Sequence, residues 1–229
     1  MHLLATTPAG GDGDAAVDLG QTPGDIVVLS AADSELAALA AARRRQAADA
    51  PSLRLASLLR LAHPLSVDLH VERVIAHARL VVVRLLGGRG YWSYGLERVA
   101  ETCRAGGIDL AVLPGDERPD PELAAWSTLA PDRAERLWRY LVEGGPDNAD
   151  GFLALAAALI GRGPEPPPAV PVPRAGLYRP GHAGQTLGDV PLQRPRAVAL
   201  FYRALLQAGD LAPVDALLAA LDRAGLEPV

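Results

Sequence analysis

The sequence predicts an α/β protein: a doubly wound, mostly parallel sheet, followed by a proline-rich linker and the start of a second α/β unit. Three observations predict it. Leu80, Val81, Val82 and Val83 form an aliphatic run bounded by turn residues, the pattern of a strand buried on both faces. Gly87, Gly88 and Gly90 follow, and then Leu96, Val99, Ala100 and Cys103 recur at helical spacing up to a stop at Gly106. Strand, glycine turn and helix make the half-unit of a flavodoxin- or Rossmann-like fold, and similar strand–helix alternation runs through most of the chain. In such folds ligands sit beyond the carboxyl ends of the strands. That places Arg84, Gly87, Gly88, Tyr91, Trp92 and Tyr94 where a binding surface is expected.

In chain order, His2 to Thr6 is the first expected strand, followed by the turn at Gly10 to Gly13. Asp25 to Leu29 is the second, and Asp33 or Ser34 can cap the helix that carries Leu36, Leu39 and Ala40. Arg43, Arg44 and Arg45 close that helix, where cations suit the macrodipole. Ser52 to Leu61 reads as a strand or strand-turn ending at His63-Pro64. Ser66 is the expected cap of a helix whose face is Val67, Val71, Val74, Ile75 and Ala78. After the central strand and its helix comes a strand from Asp109 to Leu113, then turn residues with Pro121 at a first helical position. Helices are expected from Asp132 to Glu143 and from Asn148 to Ile160. The expectation is about five mostly parallel strands with helices on both faces, spanning residues 1–162.

The run GPEPPPAVPVP then marks a semi-rigid spacer, residues 163–174. Residues 175–229 read as a loop with Gly181, His182 and Gly184, a strand from Ala197 to Tyr202, a long turn, a helix from Val214 to Arg223, and the beginning of another strand after Gly225. A lone parallel strand–helix pair cannot bury both of its faces, so this second unit is expected to be the front of something longer.

Composition narrows the function classes. A hydrophobic fraction of 49% and a charged fraction of 21% are those of a globular protein. A net charge of −5 argues against nucleic acid or an anionic membrane as partner. No apolar stretch approaches the ~20 residues of a membrane span, and the amino terminus lacks the basic region of a signal peptide. One cysteine cannot form an internal disulfide, which fits a reducing cytoplasm. All 22 basic residues are arginine. Without lysine there is no P-loop, no Schiff base and no lysine general base, so an ATP-driven process would keep its nucleotide on another subunit.

Segments occurring in order make a more specific pattern: VDLGQTP, VVLSAADSEL, HPLSVDLHVE, ARLVVVRLLGG..YW.YG, LPGDERPDPEL, LWRYLVEGGPDN, RAGLYRPG and FYRALLQAGDLAPVDALLAALDRAGL. Together they resemble the amino-terminal part of the CobN-type large-subunit family of aerobic cobaltochelatases, itself related to the porphyrin-binding subunit of magnesium chelatase. The resemblance runs over essentially the whole chain, and family members are several times longer. It implies cytoplasmic cobalamin biosynthesis: ATP-dependent insertion of Co²⁺ into hydrogenobyrinic acid a,c-diamide. It also implies two smaller ATPase partner subunits that hold ATP and Mg²⁺, no cofactor on this chain, and Co²⁺ as substrate.

A tetrapyrrole is a flat apolar ring fringed with carboxylates and amides. Arginine forks suit the carboxylates, and Tyr91, Trp92 and Tyr94 suit the ring face. Arg84, Gly87, Gly88, Tyr91, Trp92 and Tyr94 all match the family pattern. The alternative is a tight turn whose aromatics cover the top of the sheet, with the region serving as a scaffold for partner subunits or as a free-standing ligand-binding module. The glycines are not a dinucleotide fingerprint, because Ser93 stands where the third glycine belongs. Among the five histidines none are paired at metal-helix spacing, and His63, at a strand end before Pro64, is the best-placed metal candidate. Cys103 lies on an apolar helix face and reads as a buried, inert thiol.

Overall fold

The computed structural model describes residues 15–180 and 193–229. The expected strand at His2 to Thr6 and the loop of Gly181, His182 and Gly184 lie outside the described residues.

Among the described residues four strands form one parallel sheet: β1 (Ile26–Ser30), β2 (Leu53–Ser57), β3 (Leu80–Leu85) and β4 (Asp109–Pro114), in the order β2-β1-β3-β4. Aliphatic runs with every residue of β1 and β3 buried make these the two inner strands. Because side chains alternate across a strand, each run feeds two cores. Val27, Leu29, Val81 and Val83 pack against helices α2 (Pro64–Arg73) and α3 (Ser93–Gly106). Ile26, Val28, Leu80 and Val82 face the other way, toward α1 (Asp33–Arg45), α5 (Pro131–Glu143) and α6 (Pro146–Leu159). Burying side chains such as Phe152, Leu39 and Leu96 contributes about 1.5–3 kcal/mol each.

Several boundaries differ from the sequence expectation. β2 stops at Ser57, and Leu58–Leu61 forms a 3₁₀ turn, whose three-residue repeat sends both Leu58 and Leu61 into the core. α2 is capped by His63, not Ser66: the His63 imidazole Nδ1 accepts from the Leu65 N–H at 3.1 Å, and Pro64 takes the first helical position. Ser66 is buried inside the helix and its hydroxyl accepts from the Val17 N–H. The helix ends at Arg73, with Ile75–His77 in a separate 3₁₀ turn. α3 ends at Gly106, but the left-handed stop is Gly107, at φ +64°. Asp120 caps the short α4 (Pro121–Ala124), accepting from the N–H groups of Glu122 and Leu123.

Past the spacer, the expected strand from Ala197 to Tyr202 pairs only as β5 (Arg196–Ala197), parallel to β6 (Glu227–Pro228). The expected long turn is helical, α7 (Arg203–Ala208), and α8 (Ala212–Arg223) follows. α7 docks on the α5–α6 turn. The Gly145 N–H donates to the Gln207 carbonyl at 2.7 Å, and the Gln207 amide donates to the Val142 carbonyl at 2.9 Å.

Candidate functional site

The strand order determines where a ligand can enter. From β1 the chain crosses to α1 on one face, whereas from β3 it turns through the glycines to α3 on the other. The two connections part above adjacent strand ends, the switch point at which open α/β sheets bind ligands. Ser30 of β1 stands opposite Arg84 of β3 in the register. A cleft of about 340 Å³ opens there, lined by Ser30, Ala32, Arg84, Gly115, Arg203 and Gln207 among others. Four of these come from strand ends or the loops after them, while α7 supplies Arg203 and Gln207 as the opposite wall.

Arg84 is the floor. As the fifth residue of a fully buried strand it needs a counter-ion, and Glu35 from the first turn of α1 provides it at 2.5 Å. The two side chains are only 3% and 4% exposed. A carboxylate in the first turn also suits the positive end of the helix dipole. Arg84 Nη2 donates to the Gly115 carbonyl at 3.1 Å, tying β3 to the loop after β4. Burial holds the Glu35 carboxyl above its usual pKa, against the pull of the Arg84 guanidinium and the Ser30 hydroxyl. Arg203 is held at the wall by Glu143 at 3.3 Å and by the Val172 carbonyl at 2.8 Å. Asp116 and Glu117 add carboxylates at the rim. Guanidinium and amide donors set beside carboxylates equip the cleft for recognising polar groups. Among the described residues its lining contains no histidine or cysteine.

The six expected ligand-contact residues separate. Only Arg84 lines the cleft. Gly87 and Gly88, at φ +92° and +76°, make the turn that only glycine enters without strain. Trp92 turns inward into the core, and its indole N–H donates to the Leu61 carbonyl at 2.8 Å. Gly95 lies directly against that ring: a Cβ there would sit 2.0 Å from Trp92 Cε2. Tyr91 and Tyr94 are exposed, and the Tyr94 hydroxyl donates to the Asp68 carboxylate of α2 at 2.9 Å. Aromatics and arginine therefore serve different surfaces. His63 is a helix cap, and among the described residues no group of three His, Cys, Asp or Glu side chains could hold a metal ion. Sequence reasoning missed Glu35, Ser30, Arg203 and Gln207. The available signal was Arg84 itself, since a charge in a buried strand demands a partner.

Residues 138–229 match the family model described as CobN/Magnesium Chelatase. Over this stretch the chain is similar to the CobN/magnesium chelatase family. The likeness to curated relatives extends over the rest. An aerobic cobaltochelatase subunit CobN of a Sinorhizobium species is 46% identical over 99% of the chain, and that of Pseudomonas aeruginosa is 43% identical over all of it. The chain spans 19% of the length of each. A solved structure, the catalytic subunit of cobaltochelatase from Mycobacterium tuberculosis, aligns with 89% of the chain and 15% of its own length, at 31% identity and a TM-score of 0.66. The family match begins inside α5, so it includes the α7 wall of the cleft but not Ser30 or Arg84. Among the described residues no helix is long and apolar enough to cross a membrane.

Proposed function

We propose that this chain is the amino-terminal part of the tetrapyrrole-binding large subunit of a cytoplasmic aerobic cobaltochelatase. The complete enzyme inserts Co²⁺ into hydrogenobyrinic acid a,c-diamide, driven by ATP. The observation that carries the reading is 46% identity to an aerobic cobaltochelatase subunit CobN along 99% of the chain. In the same reading two smaller partner subunits hold nucleotide and Mg²⁺, Co²⁺ is the substrate and this chain carries no cofactor; a chain without lysine has no P-loop of its own, which is consistent with it. In this reading Arg84 and Arg203 offer donors to a carboxylate or amide arm of the macrocycle. Tyr91 and Tyr94 offer exposed rings, with Gly87 and Gly88 shaping the turn and Trp92 bracing it from the core. A cleft of about 340 Å³ is in the range for one side arm, not a whole macrocycle, which suits a supporting role beside the rest of the subunit.

The test is cobalt incorporation. A large subunit carrying this segment is combined with its ATPase partners, ATP, Mg²⁺, Co²⁺ and hydrogenobyrinic acid a,c-diamide, and the corrin absorbance is followed. Cobalt uptake that requires ATP and is lost when the segment is deleted is expected. Full uptake without the segment, or no uptake of cobalt into this corrin, refutes the reading.

A further inference from the structure

From Arg196 to Tyr202 the chain alternates residue by residue between exposed and half-buried positions. That period of two is the signature of extended strand. The half-buried face, Ala197, Ala199 and Phe201, is occupied. Phe201 meets the Tyr178 ring edge-on at 5.7 Å, and the Tyr178 hydroxyl donates to Asp215 of α8 at 2.7 Å. The other face is bare: Val198, Leu200 and Tyr202 are 68%, 93% and 86% exposed.

The edges show the same asymmetry. The Ala199 N–H donates to the Val229 carbonyl at 2.7 Å, the Val229 N–H to Ala197 at 2.8 Å and the Glu227 N–H to Pro195 at 2.8 Å. Odd-numbered residues thus spend their peptide groups on β6. The N–H and C=O groups of Val198 and Leu200 point to the opposite edge and have no backbone partner among the described residues. An open edge beside an uncovered apolar face is a template for another strand. Parallel strands in α/β folds are covered on both faces, and two strands alone do not make a stable sheet.

The geometry points to one occupant: the polypeptide that follows this segment in the longer relatives. It adds a parallel strand at the Val198–Leu200 edge and lays a helix over Val198, Leu200 and Tyr202. The family match runs unbroken from α5 across the spacer to β5 and β6, so this small sheet belongs to the family's shared body. The chain covers only 19% of its curated relatives, which leaves ample polypeptide to complete it. A second copy fits less well. Two edges related by a two-fold axis pair antiparallel, whereas β5 and β6 run parallel, and two chains of charge −5 repel. The inference rests on reading the chain as the front part of a longer subunit.

The test mixes this 229-residue chain with the Pseudomonas aeruginosa relative's polypeptide C-terminal to the part the chain matches. Sedimentation reads the complex, and hydrogen exchange reads the Val198 and Leu200 amides. A one-to-one complex that protects both amides is expected. The Leu200→Asp/Tyr202→Asp variant should bind at least about tenfold more weakly. Both side chains are exposed, so the variant keeps the wild-type circular dichroism spectrum and reports binding alone. No complex, a complex indifferent to the variant, or a homodimer that the variant dissolves would each overturn the inference. The functional reading is scored separately. A full-length subunit that inserts cobalt while its Val198 and Leu200 amides exchange freely overturns this docking and leaves the chelatase assignment intact; a protected complex in an enzyme that inserts no cobalt does the reverse.

Discussion

Replacing Glu35 or Arg84 singly should destabilise this protein far more than replacing both together. The pair meets at 2.5 Å with both side chains almost wholly out of water. Taking away one partner leaves the other charge buried without compensation, which costs about 3–5 kcal/mol. In a chain of this size each kcal/mol is roughly 2–4 °C of melting temperature, so Glu35→Leu or Arg84→Met should lower it by roughly 6–20 °C. The double variant removes both charges and keeps most of the volume. Its remaining cost is the lost Arg84 hydrogen bond to the Gly115 carbonyl, about 1–3 kcal/mol, offset by the desolvation that no longer opposes folding. The double variant should therefore lie near the wild type, giving a coupling that approaches the sum of the two single losses. Urea denaturation followed by tryptophan fluorescence measures all four proteins.

A pH series sharpens the same test. Burial raises the Glu35 carboxyl, so the folded protein keeps that proton to higher pH than the unfolded chain does. In the window above the ordinary carboxylate value the folded state binds more protons, and stability falls as pH rises. Glu35→Leu should abolish that slope. Arg84→Met removes the main opposing pull and should steepen it. Single losses under about 1 kcal/mol, or losses that simply add in the double variant, would refute the reasoning.

Three further outcomes are expected. Trp92→Ala should cost about 3–5 kcal/mol in a denaturant melt, and Gly95→Ala should be destabilising too, because its Cβ meets a ring that cannot swing away. Near-wild-type melts for both would show that the indole does not fill the core. Burial pushes the Cys103 thiol up to about 12, so a thiol reagent at pH 8 should label it only in denaturant; rapid labelling of the native chain would contradict this. His70 is buried and its imidazole is pushed down to about 4, so the unfolded chain takes up a proton first on acidification. The His70 contribution to stability should be lost as pH falls from about 6.5 to about 4, opposite in sign to that of Glu35, and His70→Leu should remove it from the profile; an unchanged profile would place the proton elsewhere.

The sheet was legible in the sequence because its signals are local. LVVVRL between turn residues allows one reading, and the same holds for β1 and β4. Boundaries failed where two local chemistries competed. Ser66 is a good cap by residue type, but His63-Pro64 provides both a side-chain acceptor and a pre-set φ, and the helix starts there. The aliphatic-aromatic run Val198 to Tyr202 reads as strand through its composition alone. The ladder with β6 ends at Ala197, one further bond joins the Ala199 N–H to the Val229 carbonyl, and the alternation of exposure continues to Tyr202.

The site was harder to read for a different reason: it is made of pairings between residues distant in sequence. Arg84 was visible at a strand end, but which carboxylate answered it depended on β1 lying beside β3 and on α1 starting over the gap. The α7 wall required the chain to return across the spacer and dock on the Gly144–Gly145 turn, and nothing periodic announces that. Trp92 was misplaced by proximity. It adjoins Tyr91 and lies near Tyr94, and sequence distance suggested a shared surface. Gly95, three residues on, gives the indole a bed against the helix's first turn, and the ring leaves the surface for it. A glycine that reads as a flexible neighbour in the sequence thus decides which aromatic belongs to the core and which two face outward. The free energy of burying an indole, worth more than its exposure beside two tyrosines, is what orders the turn.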